Sequence, residues 1–374
     1  MSITIETINT TEAFKNLRKE WNRLLEQSPV QSIFLTWEWL YTWWDHFGAD
    51  KTLHILLARD SSEIVGIAPL MITTAKRLGF RFRMLRNLGM PDVDVAGLIV
   101  KDGDQEVVNH FCQEIQNASR QWDILELGEF PNAVLDPQTI VRQFHEANYL
   151  SRLMPKLHTF IPTTGNWEDY YKTLAKHHRR SMRRKERLLA EEHKSVEYQR
   201  FNEGKVRPEH YNIIFNINAK ARFPELYATE SLRNFHLALA KPDVLQHAVD
   251  ISFFLVNNVP IAFDYGFLYN QVYEAWRGAY TPRCSEYSPG SLIFLKLLNH
   301  NFTSGYLGVD LLRGEHDYKK RWRGYDRPFT LLWVVPRRKV LACAAYIWLP
   351  DLKKRVVSLL KRRNADSRDA EGED

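Results

Sequence analysis

The chain has 374 residues, of which 44% are hydrophobic and 26% are charged. This length and composition predict one large or two ordinary globular domains and exclude wholesale disorder. The formal net charge of +6 indicates only a weak preference for anionic partners. Three cysteines, far apart and odd in number, exclude a disulfide framework and a zinc knuckle, and they fit a reducing compartment.

Two segments bear on targeting and membrane insertion, the N-terminal segment and the longest apolar run. The N-terminal MSITIETINT lacks a basic stretch followed by an apolar run, so it does not read as a signal peptide. The longest apolar run, VLACAAYIWL, is too short to span a bilayer. We therefore expect a cytoplasmic protein.

The first half of the chain alternates helical and strand patterns. A helix is predicted over 11–25, and SIFLTWEWLYTWWDHFG predicts a second because Trp37, Tyr41 and Trp44 recur at helical spacing. LHILLARD, EIVGIAPLMITTA and FRFRMLRNLG predict a three-stranded antiparallel meander. The half ends in the apolar stretch DVDVAGLIV, a helix near 105–118 and the strand WDILELGEF.

The second half repeats this order. A long helix is predicted over 167–192, and two more over 212–222 and 231–240. ISFFLV and VPIAFDYGFL predict a hairpin, followed by the strand QVYEAWRGAY, the helix SLIFLKLLNHNF and the strand YLGVDLLRG. WDILELGE and LGVDLLRGE resemble each other, as an internal duplication would explain. Two such units form a mixed α/β fold with a cleft between or along them.

A helix start suited to a phosphate group is predicted at SPGS. Ser288 suits the N-cap, Pro289 suits the first turn, and Gly290 lets a ligand approach the backbone closely. The free N–H groups there, with the positive end of the helix dipole, can bind a pyrophosphate without a lysine. A well-capped helix with no ligand explains the same residues and is the commoner case.

The strand that follows carries an aspartate in its interior. Val309 and Leu311 share the most apolar face, whereas Asp310 lies on the other face, toward the cleft. Strands disfavour aspartate, and a carboxylate there could accept a proton from an attacking amine or hydroxyl. A structural aspartate paired with Arg313 or Arg277 is an equal alternative.

A further helix is predicted to start around Tyr318. Tyr318 and Trp322 are four residues apart and so face one side of a helix. Lys319 could stabilise a tetrahedral oxyanion or bind a phosphate. A solvated basic face is the other interpretation of this lysine and its neighbours, and the motif by itself favours it.

Together these motifs resemble a known family. SPG, a helix and then GYLGVDLLRGEHDYKKRW are similar to the C-terminal signature of the CelD/BcsL-type acetyltransferases. Those are GNAT-superfamily proteins associated with bacterial cellulose and exopolysaccharide production. FLTWEWLYTWWDHFG, IVGIAPLMI, LRNLG and DVDVAGLIV follow the same family order in the first half. The resemblance covers roughly residues 15–335 and extends to the FemAB aminoacyl transferases, which also carry two GNAT lobes.

The resemblance implies an α/β (α+β) fold of tandem GNAT-like lobes, each a mixed, mainly antiparallel sheet flanked by helices. It implies an N-terminal lobe over 1–160, a C-terminal lobe with the acyl-CoA site over 161–336, and a basic helical tail with a disordered acidic end over 337–374. The expected cosubstrate is acetyl-CoA or another acyl-CoA. No metal is expected, and the sequence has no H-E-x-x-H motif, P-loop or Rossmann fingerprint.

Family site positions can be carried over residue by residue. Those that match the pyrophosphate and pantetheine contacts are Ser288, Pro289, Gly290, Ser291, Gly278 and Tyr280. Those that match the catalytic, acceptor-side positions are Asp310, Tyr318 and Lys319. The Q/R-x-x-G-x-G/A loop of single-lobe GNATs is absent here, which leaves the phosphate contacts and the donor open.

The predicted reaction is direct acyl transfer. An acceptor amine or hydroxyl attacks the thioester carbonyl, while Asp310, or water held by it, takes the proton. Lys319 and backbone N–H groups stabilise the oxyanion. The expected acceptor is a small molecule or a saccharide in exopolysaccharide, cellulose or cell-envelope biosynthesis.

Two other functions stay open. FemAB relatives use aminoacyl-tRNA as donor, and the basic run 176–187 could contact tRNA, although it lacks interleaved aromatics and most such runs are solvated helix faces. A non-catalytic assembly factor in polysaccharide secretion is the other function. Its tail, where Leu352, Val356 and Leu359 recur at helical spacing, would then dock peripherally on the inner membrane or on a partner. A terminal helix packed on the second lobe is the preferred interpretation of that tail.

Overall fold

The structure, a computed structural model, describes residues 3–77, 79–314 and 316–340 together with Cys343 and Ile347. The strands and helices of its first half are β1 (Ile3–Ile8), α1 (Thr11–Asn16), α2 (Arg18–Gln27), α3 (Trp37–Phe47), β2 (Thr52–Leu53), β3 (Ile55–Asp60), β4 (Glu63–Ala68), β5 (Leu70–Arg77), β6 (Phe80–Asn87), β7 (Ile99–Val100), α4 (Gln105–Asn117), β8 (Ile124–Pro131), α5 (Pro137–Glu146) and β9 (Tyr149–Pro162). Those of the second half are α6 (Trp167–Thr173), α7 (Lys176–Glu192), β10 (Val196–Phe201), α8 (Pro208–Asn218), α9 (Glu230–Leu239), β11 (Val249–Val256), β12 (Val259–Tyr269), β13 (Val272–Tyr280), α10 (Pro289–Thr303), β14 (Gly308–Arg313), α11 (Asp317–Lys320) and β15 (Tyr325–Pro336).

One hydrogen-bonded sheet runs through both halves. Among the described residues its strand order is β10-β11-β12-β13-β14-β9-β15-β8-β6-β5-β2, and β1-β3-β4-β7 form a second sheet. Only two pairs of neighbouring strands described here are parallel, β13 with β14 and β6 with β8. The sheets are therefore mixed and mainly antiparallel, and helices flank them. This confirms the predicted α/β (α+β) class with mixed, mainly antiparallel sheets flanked by helices.

The long strands β9 and β15 are exchanged between the halves. β9 lies between β14 and β15, and β15 lies between β9 and β8, all in antiparallel pairs. Each half thus completes the sheet of the other. The boundary predicted between residues 160 and 161 falls inside β9, and the division into 1–160 and 161–336 stays a prediction.

The two halves also share a hydrophobic core. The predicted tryptophan-rich helix is α3, and its Trp39 is fully buried against Phe235 of α9, with 5.3 Å between ring centroids. Phe34, just before α3, packs on Trp276 of β13 at 5.7 Å. Because large aromatics contribute most of the apolar area that a core buries, this contact ties the lobes together.

Four details of the predicted elements are corrected. The meander is divided between the two sheets, because Pro69 interrupts the returning strand between β4 and β5. The helix predicted over 167–192 breaks into α6 and α7, since Leu174 is extended (ψ 143°) and buries its side chain. The helix predicted over 212–222 is α8, which starts earlier because Pro208 occupies its first turn. The turn after β12, which the sequence predicts at Tyr269 and Asn270, lies one residue later, at Asn270 and Gln271.

The hairpin of β11 and β12 is confirmed. Asn257 and Asn258 both adopt left-handed backbone angles, with φ of 50° and 64°, as a two-residue turn between twisted strands requires. Asparagine tolerates this region better than most residues. β11, buried along its whole length, forms an inner strand of the second half.

Most of the tail lies outside the described residues, including Leu352, Val356, Leu359 and the acidic end. Cys343 and Ile347 are described and buried, in a cluster with side chains of β6, β8 and β15. Within the described part of the chain, no helix is long and apolar enough to cross a membrane.

Candidate active site

The strands β13 and β14 separate in the middle of the long sheet. They pair in parallel only from Val272 with Gly308 to Glu274 with Asp310. Just beyond, a bulge interrupts the pairing of β13 with β12 at Trp276. The rest of β13 therefore has a backbone edge without a β14 partner, and a ligand could pair with it.

The helix α10 begins close to this open edge. Ser288 is its N-cap residue and has a left-handed φ of 49°, and Pro289 follows in the first turn, as predicted. The Ser288 hydroxyl does not cap the helix but contacts the Lys185 ammonium of α7. A Cβ built on Gly290 would lie 3.5 Å from the Tyr280 ring, so this helix start faces the end of β13.

A cavity of about 430 Å³ lies between β13, α10 and β14, and we call it the donor cavity. Asp264, on β12, is another of its lining residues. Five of the six residues predicted to bind the donor line it, and the sixth, Pro289, does not. The five are Gly278, Tyr280, Ser288, Gly290 and Ser291.

A second cavity, of about 780 Å³, lies on the other side of the separated strands, and we call it the inter-lobe cavity. Its lining includes Asp94 and Glu129 of the first half and Arg222 and Phe223 of the second. The residues common to both cavities are Ala275, Trp276, Arg277, Gly278, Leu311 and Tyr318. The two cavities therefore meet where β13 and β14 separate, so two substrates could approach each other from opposite sides.

Lys319 lines the inter-lobe cavity, but its ammonium is already hydrogen-bonded. Its Nζ donates to the carbonyl oxygens of Leu311, Leu312 and Arg313 at 2.8, 2.9 and 2.9 Å. An ammonium has three protons, so an oxyanion would have to displace one of these acceptors. Burial lowers the pKa of Lys319 to about 8, and nearby carboxylates oppose that shift.

Asp310 lies behind the cavities and is not among the lining residues described for either. Its carboxylate accepts the N–H of Leu312 at 2.9 Å and pairs with the Arg327 guanidinium. The predicted structural alternatives, Arg313 and Arg277, are not its partners. The backbone of β14 is irregular here, because Leu312 has a φ of 55° and the pairing with β9 shifts in register between Asp310 and Arg313.

Tyr318 lies where the cavities meet and stays 46% exposed. Partial burial, helped by the Asp264 charge, raises the pKa of Tyr318 to about 12, so its hydroxyl keeps its proton at neutral pH. α11 ends at Lys320, so Tyr318 and Trp322 do not share a helix face as predicted. Arg323, with a φ of 55°, lies in the turn that follows, and both aromatic side chains still line the donor cavity.

The first lobe contributes acidic residues that the sequence analysis missed. Asp94 is buried and forms an ion pair with Arg313 at 2.6 Å, and Arg313 also donates to the carbonyl of Pro91 at 3.0 Å. Burial raises the pKa of Asp94 despite the nearby arginines. Glu129 pairs with His158 at 3.1 Å. The only sequence signal for Asp94 was a second aspartate inside the apolar stretch DVDVAGLIV.

A basic groove runs along α7. It is lined by Lys176, His177, Arg180, Ser181 and Arg184. The contact of Lys185 with the Ser288 hydroxyl connects this helix to the start of α10. Within the described chain, no group of three His, Cys, Asp or Glu side chains is placed to hold a metal ion.

Part of the second half resembles a known protein family. Residues 176–320 match the family model described as "Acetyltransferase (GNAT) domain". No curated protein matches the sequence significantly. Among solved structures, FemX superposes with a TM-score of 0.57 and 9% identity, covering 88% of this chain and 97% of that one.

Two further structures show the same likeness. The C-terminal domain of a protein assigned as lysylphosphatidylglycerol synthetase from Agrobacterium fabrum has a TM-score of 0.53 and 11% identity, covering 90% of this chain and 95% of that one. L-PGS from Bacillus licheniformis has a TM-score of 0.51 and 10% identity, and the match covers 88% of this chain and 94% of that one. At such low identity the likeness shows the fold alone. The chain therefore has a FemAB-like fold of two GNAT-like lobes, and residues 176–320 resemble a GNAT acetyltransferase domain.

Proposed function

We propose that this protein is an acyltransferase that takes an acyl group, in the first place acetyl, from a coenzyme-A thioester. The observation that carries the proposal is the separation of β13 from β14, with the start of α10 at one end and a cavity on each side. The diphosphate would meet the N–H groups at the start of α10. The pantetheine would extend along the unpaired edge of β13 and bring the thioester to the junction of the cavities.

The acceptor binds in the inter-lobe cavity and attacks the thioester carbonyl. A bond forms between the acceptor nitrogen or oxygen and the acyl carbon, the carbon–sulfur bond breaks, and the thiolate leaves. Tyr318, which is protonated at neutral pH, donates a proton to that thiolate. Because both substrates are held together, the enzyme needs no covalent intermediate.

For the proton of the acceptor, we propose Asp94 as the base. It lines the inter-lobe cavity, and its raised pKa makes it a stronger base than a surface carboxylate. For Asp310, predicted as the base, we propose a positioning role, because it is not among the lining residues of either cavity and its carboxylate is bonded to Arg327 and to the Leu312 N–H. Asp94→Asn should then lower turnover with unchanged donor affinity, whereas Asp310→Asn should lower stability and donor affinity together.

We propose that Lys319 acts mainly by positioning the end of β14. Its three hydrogen bonds hold the end of β14, which forms one wall of the donor cavity, and its charge reaches the reacting carbonyl only through space. The oxyanion would instead meet backbone N–H groups of the unpaired edge of β13.

The decisive test is calorimetric titration with acetyl-CoA and with desulfo-CoA. A carboxylate at residue 290 would lie near the diphosphate, and two negative charges against one at about 5 Å cost on the order of 2–6 kcal/mol. Gly290→Asp should therefore weaken binding by about thirtyfold or more. The same charge should leave the helix intact or stabilise it slightly.

Gly290→Ala is the matched control. Its Cβ would be in ordinary van der Waals contact with the Tyr280 ring at 3.5 Å, so we expect binding within a few-fold of the native protein. Equal weakening by alanine and aspartate would mean that bulk, not charge, blocks the site. Absence of binding to either ligand by the native protein would contradict a coenzyme-A donor.

The basic groove on α7 favours one second candidate, an aminoacyl-tRNA donor. Its cations line the helix that contacts the start of α10, so a phosphate backbone bound there would reach the donor cavity. Salt-sensitive tRNA binding, lost in Arg180→Ala with Arg184→Ala, would support this donor.

Two broader expectations remain proposals. A place in exopolysaccharide, cellulose or cell-envelope biosynthesis rests on the family resemblance. A non-catalytic assembly role would follow if the native protein bound neither coenzyme A nor tRNA at low salt.

A further inference from the structure

The inter-lobe cavity carries an excess of positive charge. Its lining includes five basic and two acidic side chains. Each of the two acidic side chains is already paired with a basic one: Asp94 pairs with Arg313, and Glu129 pairs with His158. Lys319 is bonded to three carbonyls. Among the described charged side chains of this cavity, those without an ion pair or a set of hydrogen bonds are therefore basic.

Three of these basic side chains have no carboxylate partner among the described residues. They are Lys156, from β9 of the first lobe, and Arg222 and Arg277, from the second. The Arg277 guanidinium lies over the Trp276 ring at 4.7 Å, which holds it at the junction of the two cavities. Cations left unpaired in a concave site draw anionic ligands toward it.

The same cavity exposes large apolar side chains. Phe223 is 54% exposed, Tyr318 46% and Leu157 37%. Exposed apolar groups gathered in one cavity mark a binding surface more often than chance exposure does. Aromatic faces are suited to the C–H faces of a sugar ring, which can lie flat against them.

We propose that the acceptor is an anionic saccharide, an inference that rests on the acyltransferase function proposed above. Its phosphate or carboxylate group binds Lys156, Arg222 and Arg277. Its ring lies against Phe223 and Tyr318, with one hydroxyl or amine directed to the junction where the thioester arrives. A volume of about 780 Å³ leaves room for more than one sugar ring.

The charge distribution argues against the other acceptors. A polyamine or a protein lysine would be repelled by the three unpaired cations described here, Lys156, Arg222 and Arg277. A neutral sugar would leave three cations without a partner. An anionic sugar meets both the charged and the apolar parts of the lining.

Ligand-observed saturation-transfer NMR tests the inference, because it detects millimolar binding without knowledge of the natural acceptor. The probes are glucose 6-phosphate, glucuronate, glucose and glycerol 3-phosphate. We expect the two anionic sugars to bind at least about tenfold more tightly than neutral glucose and than glycerol 3-phosphate, which has no ring. The comparison of phosphate with carboxylate identifies which anion is preferred.

Matched variants locate the binding. Arg277→Met should weaken both anionic sugars about tenfold, whereas Arg187→Met, on the exposed face of α7, should not. Phe223→Ala should weaken the sugars but leave glycerol 3-phosphate unchanged. Phe80→Ala, which removes a ring of similar exposure (57%) outside the cavity, should change neither. Urea unfolding of each variant shows that the fold is retained.

The outcomes separate the two proposals. Equal binding of glucose and glucose 6-phosphate would overturn the anion site, and equal binding of glycerol 3-phosphate would overturn the ring site. Acetyl-CoA is titrated separately, so its failure to bind contradicts the donor while the sugar results still report on the cavity. Binding of the anionic sugars that is lost in Arg277→Met and kept in Arg187→Met is the result we expect.

Discussion

The buried ammonium of Lys319 is the group whose removal tests the site most directly. Lys319→Met keeps the length of the side chain and removes its three hydrogen bonds to the end of β14. The sequence predicted that this lysine stabilises an oxyanion, whereas its contacts support a positioning role. The two roles differ in what the substitution does to stability.

The expected loss of stability follows from the contacts. The bonds to the carbonyls of Leu311 and Leu312 are buried, and an unsatisfied buried carbonyl costs about 1–3 kcal/mol. Removal of the buried charge returns part of this cost, since burial lowers the pKa of Lys319 to about 8 and so disfavours the ammonium. We expect a net decrease of about 2 kcal/mol in the free energy of unfolding.

Urea unfolding and acetyl-CoA calorimetry on the same preparations are the assays. Lys320→Met is the control, because that neighbouring side chain is 79% exposed and should change stability by less than about 0.5 kcal/mol. Lys319→Met should also weaken acetyl-CoA binding, because the end of β14 forms a wall of the donor cavity. Native stability combined with lost turnover would refute the positioning role and favour direct contact with the reacting group.

The pH dependence of acetyl-CoA binding tests the role of Lys319 independently. Lys319 is cationic below its pKa of about 8 and neutral above it. If the charge helps to hold the anionic donor, acetyl-CoA affinity should fall as pH rises through about 8, and Lys319→Met should lack that decrease. An identical profile in the variant would assign the decrease to another group.

Three further predictions concern the framework of the site. Burial raises the pKa of Glu274 from 4.5 to about 8, so the folded state holds this proton to a higher pH than the unfolded chain does. The free energy of unfolding should therefore fall as pH rises between those values, and Glu274→Gln should reduce that fall in urea titrations. Asp250→Asn should cost about 3–5 kcal/mol in thermal unfolding, because it weakens the buried pairing of Arg200 at 2.6 Å. Gly308→Ala should lower the Tm, since its Cβ would lie 2.2 Å from the Phe160 ring.

The grouping of the candidate donor residues around one cavity could be predicted from the sequence because these residues are local. β13, the loop after it and α10 are consecutive, and the glycine, proline and serine at the helix start mark where the backbone is open. Five of the six predicted residues accordingly line one cavity. Hydrophobic periodicity placed most strands and helices for the same reason, since it reports which face of an element is buried.

The acceptor half could not be predicted, because it is assembled from distant segments. Asp94, Glu129 and Lys156 reach the cavity only through the pairing of strands from both halves. No periodicity encodes the exchange of β9 and β15. The bonding of Asp310 to Arg327 was missed for a related reason, since Arg327 lies on β15, beyond the motif.

The two lobes share a fold, yet they differ at the position where a donor would bind. In the first lobe β6 and β8 pair in parallel, as β13 and β14 do in the second. There the buried Asn87 side chain of β6 accepts the N–H of Gly128 in β8 at 3.1 Å, and it also donates to the carbonyl of Gly97, just before β7, at 3.0 Å. A pantetheine inserted between these strands would have to break the bond to Gly128. We therefore expect calorimetry to show one acetyl-CoA bound per chain. A second site of similar affinity would mean that Asn87 does not prevent the donor from binding to the first lobe.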